Sequence, residues 1–245
     1  MNQAQYGIRV KPQFPVRGLL VVPHKSNDLI VNLIVSYPAF GLDWYKKNLE
    51  VMSEDYPHPE TGERISFRPA TTSESISVAA FGFGSNEEYD AKRNIFDPRW
   101  LQLSYIVRTH DGVFTNTKIT DENELKSLLN RVEKVNGIYL IDDNIAFAPY
   151  ETFQRGIQDR DAFAQGGLAR ALEHTPEKVA RNLREMASPE HYKRGVNVYN
   201  FDDVKEPVLK VAILNSDGII FGDWLGVSCD NWDDNNNGFA FGVRT

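Results

Sequence analysis

The chain has 245 residues, 41% of them hydrophobic and 25% charged, and a net charge of −7 at neutral pH. That length suffices for a real core, 11% aromatic residues supply enough large apolar surface to oppose disorder, and no run approaches the roughly 18 apolar residues of a membrane span. The acidic balance weighs against general nucleic-acid binding, which works by neutralising phosphates, and the single cysteine, Cys229, excludes an internal disulfide and a cysteine-based zinc cluster.

The first twenty residues lack the charged-then-apolar pattern of a secretory signal, so the simplest expectation is a cytoplasmic protein. Pro12, Pro15 and Pro23 interrupt the amino-terminal region and leave a short edge strand over Gly18–Val22. Leu29–Ser36, LIVNLIVS, is apolar on both faces and predicts a central strand covered above and below. Leu42–Ser53 predicts a helix, and Tyr56–Arg64, rich in Pro, Gly and polar residues, a surface loop. Ile65–Pro69 reads as a strand, whereas Ser75–Phe81 fits either a strand or a short helix. Asp97-Pro98 has the form of a turn or helix start.

Leu101–Thr109 alternates with period two, and Asp111-Gly112 before Val113–Asn116 is a hairpin signal. Asp121–Val132 predicts a helix capped by Thr120, stopped at Asn136-Gly137. Ile138–Ile141 and Ile145–Ala148 predict a second hairpin.

Residues Ala148–Ala187 carry the longest helical periodicity. Phe153 and Ile157, Leu168 and Leu172, and Val179, Leu183 and Met186 each fall on one helical face. Gly166-Gly167 breaks the pattern, and Thr175-Pro176-Glu177 and Ser188-Pro189-Glu190 have the grammar of fresh helix starts. Strands return at Val208–Leu214, Ile219–Trp224, Gly226–Cys229 and Gly238–Val243. The expected fold is one α+β domain over residues 1–245. Its sheet is mainly antiparallel, built from hairpins and covered by a helical block around residues 149–187.

Chemistry concentrates in few places. In Asp230–Gly238 the spacing Asp233, Asn235, Asn237, Gly238 matches the opening of a calcium loop, although Arg244 stands where the closing Glu belongs and strands flank the run. Asp230, Asp233, Asn235 and Asn237 are therefore candidate Ca2+ ligands, set against a plain polar turn; no other cofactor is implied. The end of this run, Gly238–Arg244, resembles the closing segment of the formylglycine-generating and C-type-lectin-like folds over a short stretch. The enzyme family's paired cysteines have no counterpart here. His110-Asp111 is similar to the metal-binding dipeptide of HD phosphohydrolases, but falls in a hairpin turn where that family has a helix.

Arg170, Lys178, Arg181 and Arg184, with the Gly166-Gly167 helix start, are candidate anion-binding residues. The competing explanation is a solvated helix face laced by Glu177–Arg181 and Arg181–Glu185 pairs. Glu173-His174 has the composition of a general-base pair, though a His near a helix carboxyl end is also explained by the dipole. Cys229 is a nucleophile only beside a base. Tyr37, Trp44, Tyr45, Trp100, Trp224 and Trp232 lie near turns, where they line a pocket or close the core; core is expected for Trp44 and Trp100, exposure for Trp232.

The balance favours a non-enzymatic binding or assembly protein. The alternatives are a metal-assisted or general-base hydrolase with a site assembled from distant residues, and a calcium- or anion-binding module. A small ligand or a protein fits as partner; a membrane does not.

Overall fold

The computed structural model describes residues 16, 18–26, 29–37, 39–84, 100–217, 224–231 and 238–245. Its first two strands form a long hairpin. β1 (Gly18–Ser26) pairs antiparallel with β2 (Leu29–Tyr37) from Gly18↔Tyr37 to Ser26↔Leu29. β1 thus runs four residues past its expected end, because Pro23 stands at a sheet edge, where a missing N–H costs nothing. β2 lies between two strands of its sheet, but its first residues lack the expected cover above and below. Leu29, Ile30 and Val31 are 68%, 77% and 39% exposed, and burial begins only at Leu33. The next strand across reaches β2 only at Val35, so composition signalled an apolar strand but not how much of it would find a cover.

β3 (Phe40–Asp43) takes in Leu42 as strand, so the expected helix starts later, as α1 (Tyr45–Met52). The loop after it is pinned by a ribbon, β4 (Tyr56–Pro57) against β5 (Arg64–Ile65), and β6 (Phe67–Pro69) follows. α2 (Thr72–Gly84) resolves the ambiguous Ser75–Phe81 as helix. The Ser/Thr run before it supplies a capping box. Thr71 Oγ1 accepts from Glu74 N at 3.3 Å, and Glu74 Oε2 accepts from Thr71 N at 2.8 Å. α2 is the longest helix among the described residues, and Ile76, Val78 and Ala79 are wholly buried because β1, β7 and α6 enclose it. Ser77 ties it to β1 through His24 Nδ1 (2.9 Å) and to α6 through Asn182 (3.3 Å).

β7 (Trp100–Arg108) and β8 (Gly112–Thr115) pair antiparallel across a tight turn holding His110 and Asp111. α3 (Glu122–Leu129) is capped by Asp121, which accepts from Glu124 N at 2.8 Å, rather than by Thr120, and it stops short of Val132. β9 (Lys134–Val135), β10 (Ile138–Leu140) and β11 (Ala146–Pro149) continue the meander.

The stretch with the strongest helical periodicity is the least uniform. It divides into a 3-10 turn (Tyr150–Thr152), β12 (Gly156–Gln158), α4 (Arg160–Gln165), α5 (Gly167–Leu172) and α6 (Arg181–Met186). Phe153 is extended, Ile157 is strand and 62% exposed, and Val179 precedes α6. Thr175 begins no helix; its hydroxyl accepts from Glu177 N at 3.2 Å in a local turn, and Ser188–Glu190 is likewise a turn closed by Tyr192 N on Ser188 O. Spacings of three and four residues arise by chance in short apolar-rich segments, and here β13 draws residues 156–158 into its ladder instead.

The chain closes with β13 (Gly195–Val198), β14 (Val208–Asp217), β15 (Trp224–Asp230), β16 (Gly238–Ala240) and β17 (Gly242–Arg244). β14 runs three residues past its expected end at Leu214. Asp97–Arg99 and Ile219–Asp223 lie outside the described residues.

The main, 11-stranded sheet has the order β12-β13-β15-β14-β7-β8-β11-β10-β9, with β16 and β3 attached at β7; a second sheet has the order β1-β2-β17-β6. The protein is mixed α and β with mainly antiparallel sheets, and its described parallel pairs are β13–β15 and β16–β7. α5 packs over β8, β10 and β11, and α6 packs on α2 and α4. Among the described residues no helix is long and apolar enough to cross a membrane.

Candidate functional site

β7 is where the architecture leaves an opening. One edge is paired with β14 along its length; the other is covered by β16 at Trp100 and Leu101 and by β8 from Ile106 onward. The stretch Gln102–Tyr105 lies between these two partners. A β-bulge falls there too. Tyr105 pairs with Val211 and Gln102 with Ile213, so Leu103 and Ser104 together oppose Ala212. A bulge re-aims side chains, and the consecutive residues Ser104 and Tyr105 both face one cleft.

This cleft has an inner lobe of about 500 Å³ and an outer lobe of about 440 Å³, which share Leu49, Tyr105 and Lys118. The inner lobe lies at the start of α2. There Thr72 Oγ1 meets Ser104 Oγ at 2.5 Å and Asn116 Oδ1 at 2.9 Å, and Thr72 N donates to Asn116 Oδ1 at 2.9 Å. Asn116 holds a left-handed backbone, φ 54°, which Asn tolerates better than most residues. Arg68 forks onto Glu74 with bonds of 2.7 and 2.6 Å. Burial works to raise the Glu74 carboxyl, but Arg68 and the Thr71 amide outweigh it and hold the group below the ordinary carboxylate range.

Tyr105 and Lys118 stand between the lobes, and Tyr45 lines the inner one. The Tyr45 and Tyr105 rings meet edge to face with centroids 4.9 Å apart, and Lys118 Nζ sits 4.4 Å over the Tyr105 ring. Tyr45 is 2% exposed, and its phenol is pushed well above its ordinary value by burial. In the outer lobe Leu49 and Leu209 supply apolar wall, and the acid there, Glu50, pairs with Lys47 at 2.7 Å. A cleft of this size with apolar walls and a few convergent polar groups suits a small molecule.

Tyr45 apart, the residues singled out from the sequence lie elsewhere. Arg170 is 5% exposed and donates to the carbonyls of Gln165 and Asn136, which makes it a tie between α5 and the β9–β10 turn. Arg181 pairs with Glu177 at 2.9 Å and Arg184 with Asp161 at 2.5 Å, while Lys178 is exposed. Asp230 ends β15 and accepts from Asn231 N at 2.7 Å; Asp233, Asn235 and Asn237, like Trp232, lie outside the described residues. Among the described residues no three His, Cys, Asp or Glu groups approach closely enough to hold a metal ion.

Glu173 and His174 do not face a common cleft. The Glu173 carboxyl turns inward and accepts from Leu183 N at 2.5 Å, which caps α6, and burial raises it to about 8 against those backbone amides. His174 has φ 51°, and its Nε2 is buried without a partner. Burial pushes the Cys229 thiol up to about 12 and Sγ donates to Asn200 O at 2.9 Å, so it lacks thiolate character. Trp44, expected in the core, is 40% exposed beside the amino end of α1, and Trp100 is half-buried.

Of the cleft residues only Tyr45 had drawn notice in the sequence. Lys118, Asn116 and Tyr105 carry no local motif, and the one available signal was the Ser/Thr-rich approach to α2. The chain matches no family model, no curated protein and no solved structure.

Proposed function

We propose that this chain is a small-ligand binding protein whose ligand occupies the cleft between α1, the bulged segment of β7 and the start of α2. The observation that carries this reading is the two-lobed cleft meeting at Leu49, Tyr105 and Lys118, with Tyr45 lining its inner lobe. A binding role is favoured over hydrolysis because Glu50, which lines the cleft, and Glu74, behind Arg68, are engaged by Lys47 and Arg68 respectively. Titrating isotope-labelled protein with millimolar benzoate and benzyl alcohol tests it by amide chemical shifts. Perturbation centred on Tyr105, Asn116, Thr117 and Lys118 supports the reading, and probes that leave these amides unmoved refute it.

Assembly is a second reading, favoured by the exposed Val21, Leu29, Ile30 and Val31 of the β1–β2 hairpin. Strand alternation puts Leu29 and Val31 on one face of the hairpin and Val21 and Ile30 on the other, so apolar surface is exposed on both. Sedimentation should then give a mass that rises with concentration and falls to the monomer in Ile30→Lys; a wild-type monomer at all concentrations removes this reading.

A further inference from the structure

We infer that the ligand is a small monocarboxylate with an apolar or aromatic body, its acid held by the Lys118 ammonium and the Tyr45 hydroxyl and its body against Leu49 and Leu209. This inference rests on the cleft being a binding site.

Two groups ask for an acid. Lys118 is exposed, lines both lobes, and has no carboxylate partner among the described residues; its ammonium lies over the Tyr105 ring. Tyr45 is 2% exposed and lines the inner lobe, and its hydroxyl has no hydrogen-bond partner among the described residues. A ligand acceptor would take the hydrogen bond that the protein leaves open at this hydroxyl. Both groups flank one ring. Lys118 Nζ is 4.4 Å and the Tyr45 ring centroid 4.9 Å from the Tyr105 centroid, so the two residues border the same ring.

The same inventory selects carboxylate over phosphate. Arg68 has the planar fork that suits a phosphate, but both its terminal nitrogens are spent on Glu74. One ammonium and one hydroxyl match one negative charge shared by two oxygens. The amide of Asn116 is also spoken for, its oxygen by Thr72 and its nitrogen by Asn144 O at 2.7 Å. These engaged groups leave less hydrogen-bonding capacity for the ligand, and Leu49 and Leu209 offer apolar wall to its body.

Calorimetric titration of the wild type, Lys118→Gln, Tyr45→Phe and Tyr105→Ala with benzoate and with its neutral counterpart benzyl alcohol tests this. Benzoate should bind the wild type about tenfold tighter, the size expected of a charge-assisted contact in a partly open site. Lys118→Gln should abolish that preference while leaving benzyl alcohol affinity unchanged. Tyr45→Phe, which keeps the ring, should weaken benzoate alone, and Tyr105→Ala should weaken both. Equal affinity of the wild type for the two probes overturns the acid while the cleft stands. Absence of binding by both overturns the cleft as well.

Discussion

The side-chain oxygen of Asn116 accepts from both the amide and the hydroxyl of Thr72, each at 2.9 Å, and so ties the end of β8 to the first turn of α2. Only a residue with a short polar side chain and tolerance of a left-handed backbone fills this position. Asn116→Ala should cost about 2–4 kcal/mol, from a lost cap, a buried donor left unpaired and the poorer tolerance of Ala for a left-handed backbone. Asn116→Asp, which keeps the acceptor, should cost less. Urea denaturation of the two variants measures the difference; equal effects would leave only the backbone term.

Glu173 makes stability depend on pH in the direction opposite to that of an ion-paired carboxylate. Its folded-state value lies near 8, above the ordinary 4.5. Between those values the unfolded chain has lost the proton that the native chain retains. Stability is therefore full below about pH 4.5 and falls as pH rises towards 8, by at most about 1.4 kcal/mol per pH unit. Denaturation midpoints across this window should decline in the wild type and flatten in Glu173→Gln. An identical slope in the variant would assign the dependence to another group.

The two adjacent glycines at the junction of α4 and α5, Gly166 before α5 and Gly167 opening it, differ in what they can accept. A Cβ on Gly167 would lie 1.9 Å from Thr152 Oγ1, whereas one on Gly166 would come no closer than 3.0 Å, to Phe163 O. Gly167→Ala should destabilise by about 1–3 kcal/mol through overpacking and Gly166→Ala by less. Thermal melting of both variants checks the order.

Cys229 should behave as a buried structural thiol. It is 2% exposed and its thiol is pushed up to about 12, so Ellman's reagent at pH 8 should label it slowly in the native protein and rapidly in urea. Rapid native labelling would contradict its placement in β15.

Local chemistry was legible wherever a few neighbouring residues suffice. Asp111-Gly112 marks the turn between β7 and β8, and the acids opening α3 mark its start, because turn and capping energies act within four residues. One such signal was in view but unread, the capping box of Thr71 and Glu74, hidden in a Ser/Thr run that fits strand or helix. Periodicity failed over residues 148–187, where segments of six residues are too short for spacing alone to separate helix from turn and strand.

The cleft belongs to a different level. Tyr45, Tyr105 and Lys118 sit on α1, on β7 and after β8, and they meet because β16, from the far end of the chain, covers β7 only as far as Leu101. By itself the sequence determined the class of structure, mixed α and β with mainly antiparallel sheets, because hairpins and caps are local. Tertiary structure alone decided the parallel partners, the uncovered tip of β2 and the gap along β7, because strand pairing between distant segments depends on the whole core closing at once.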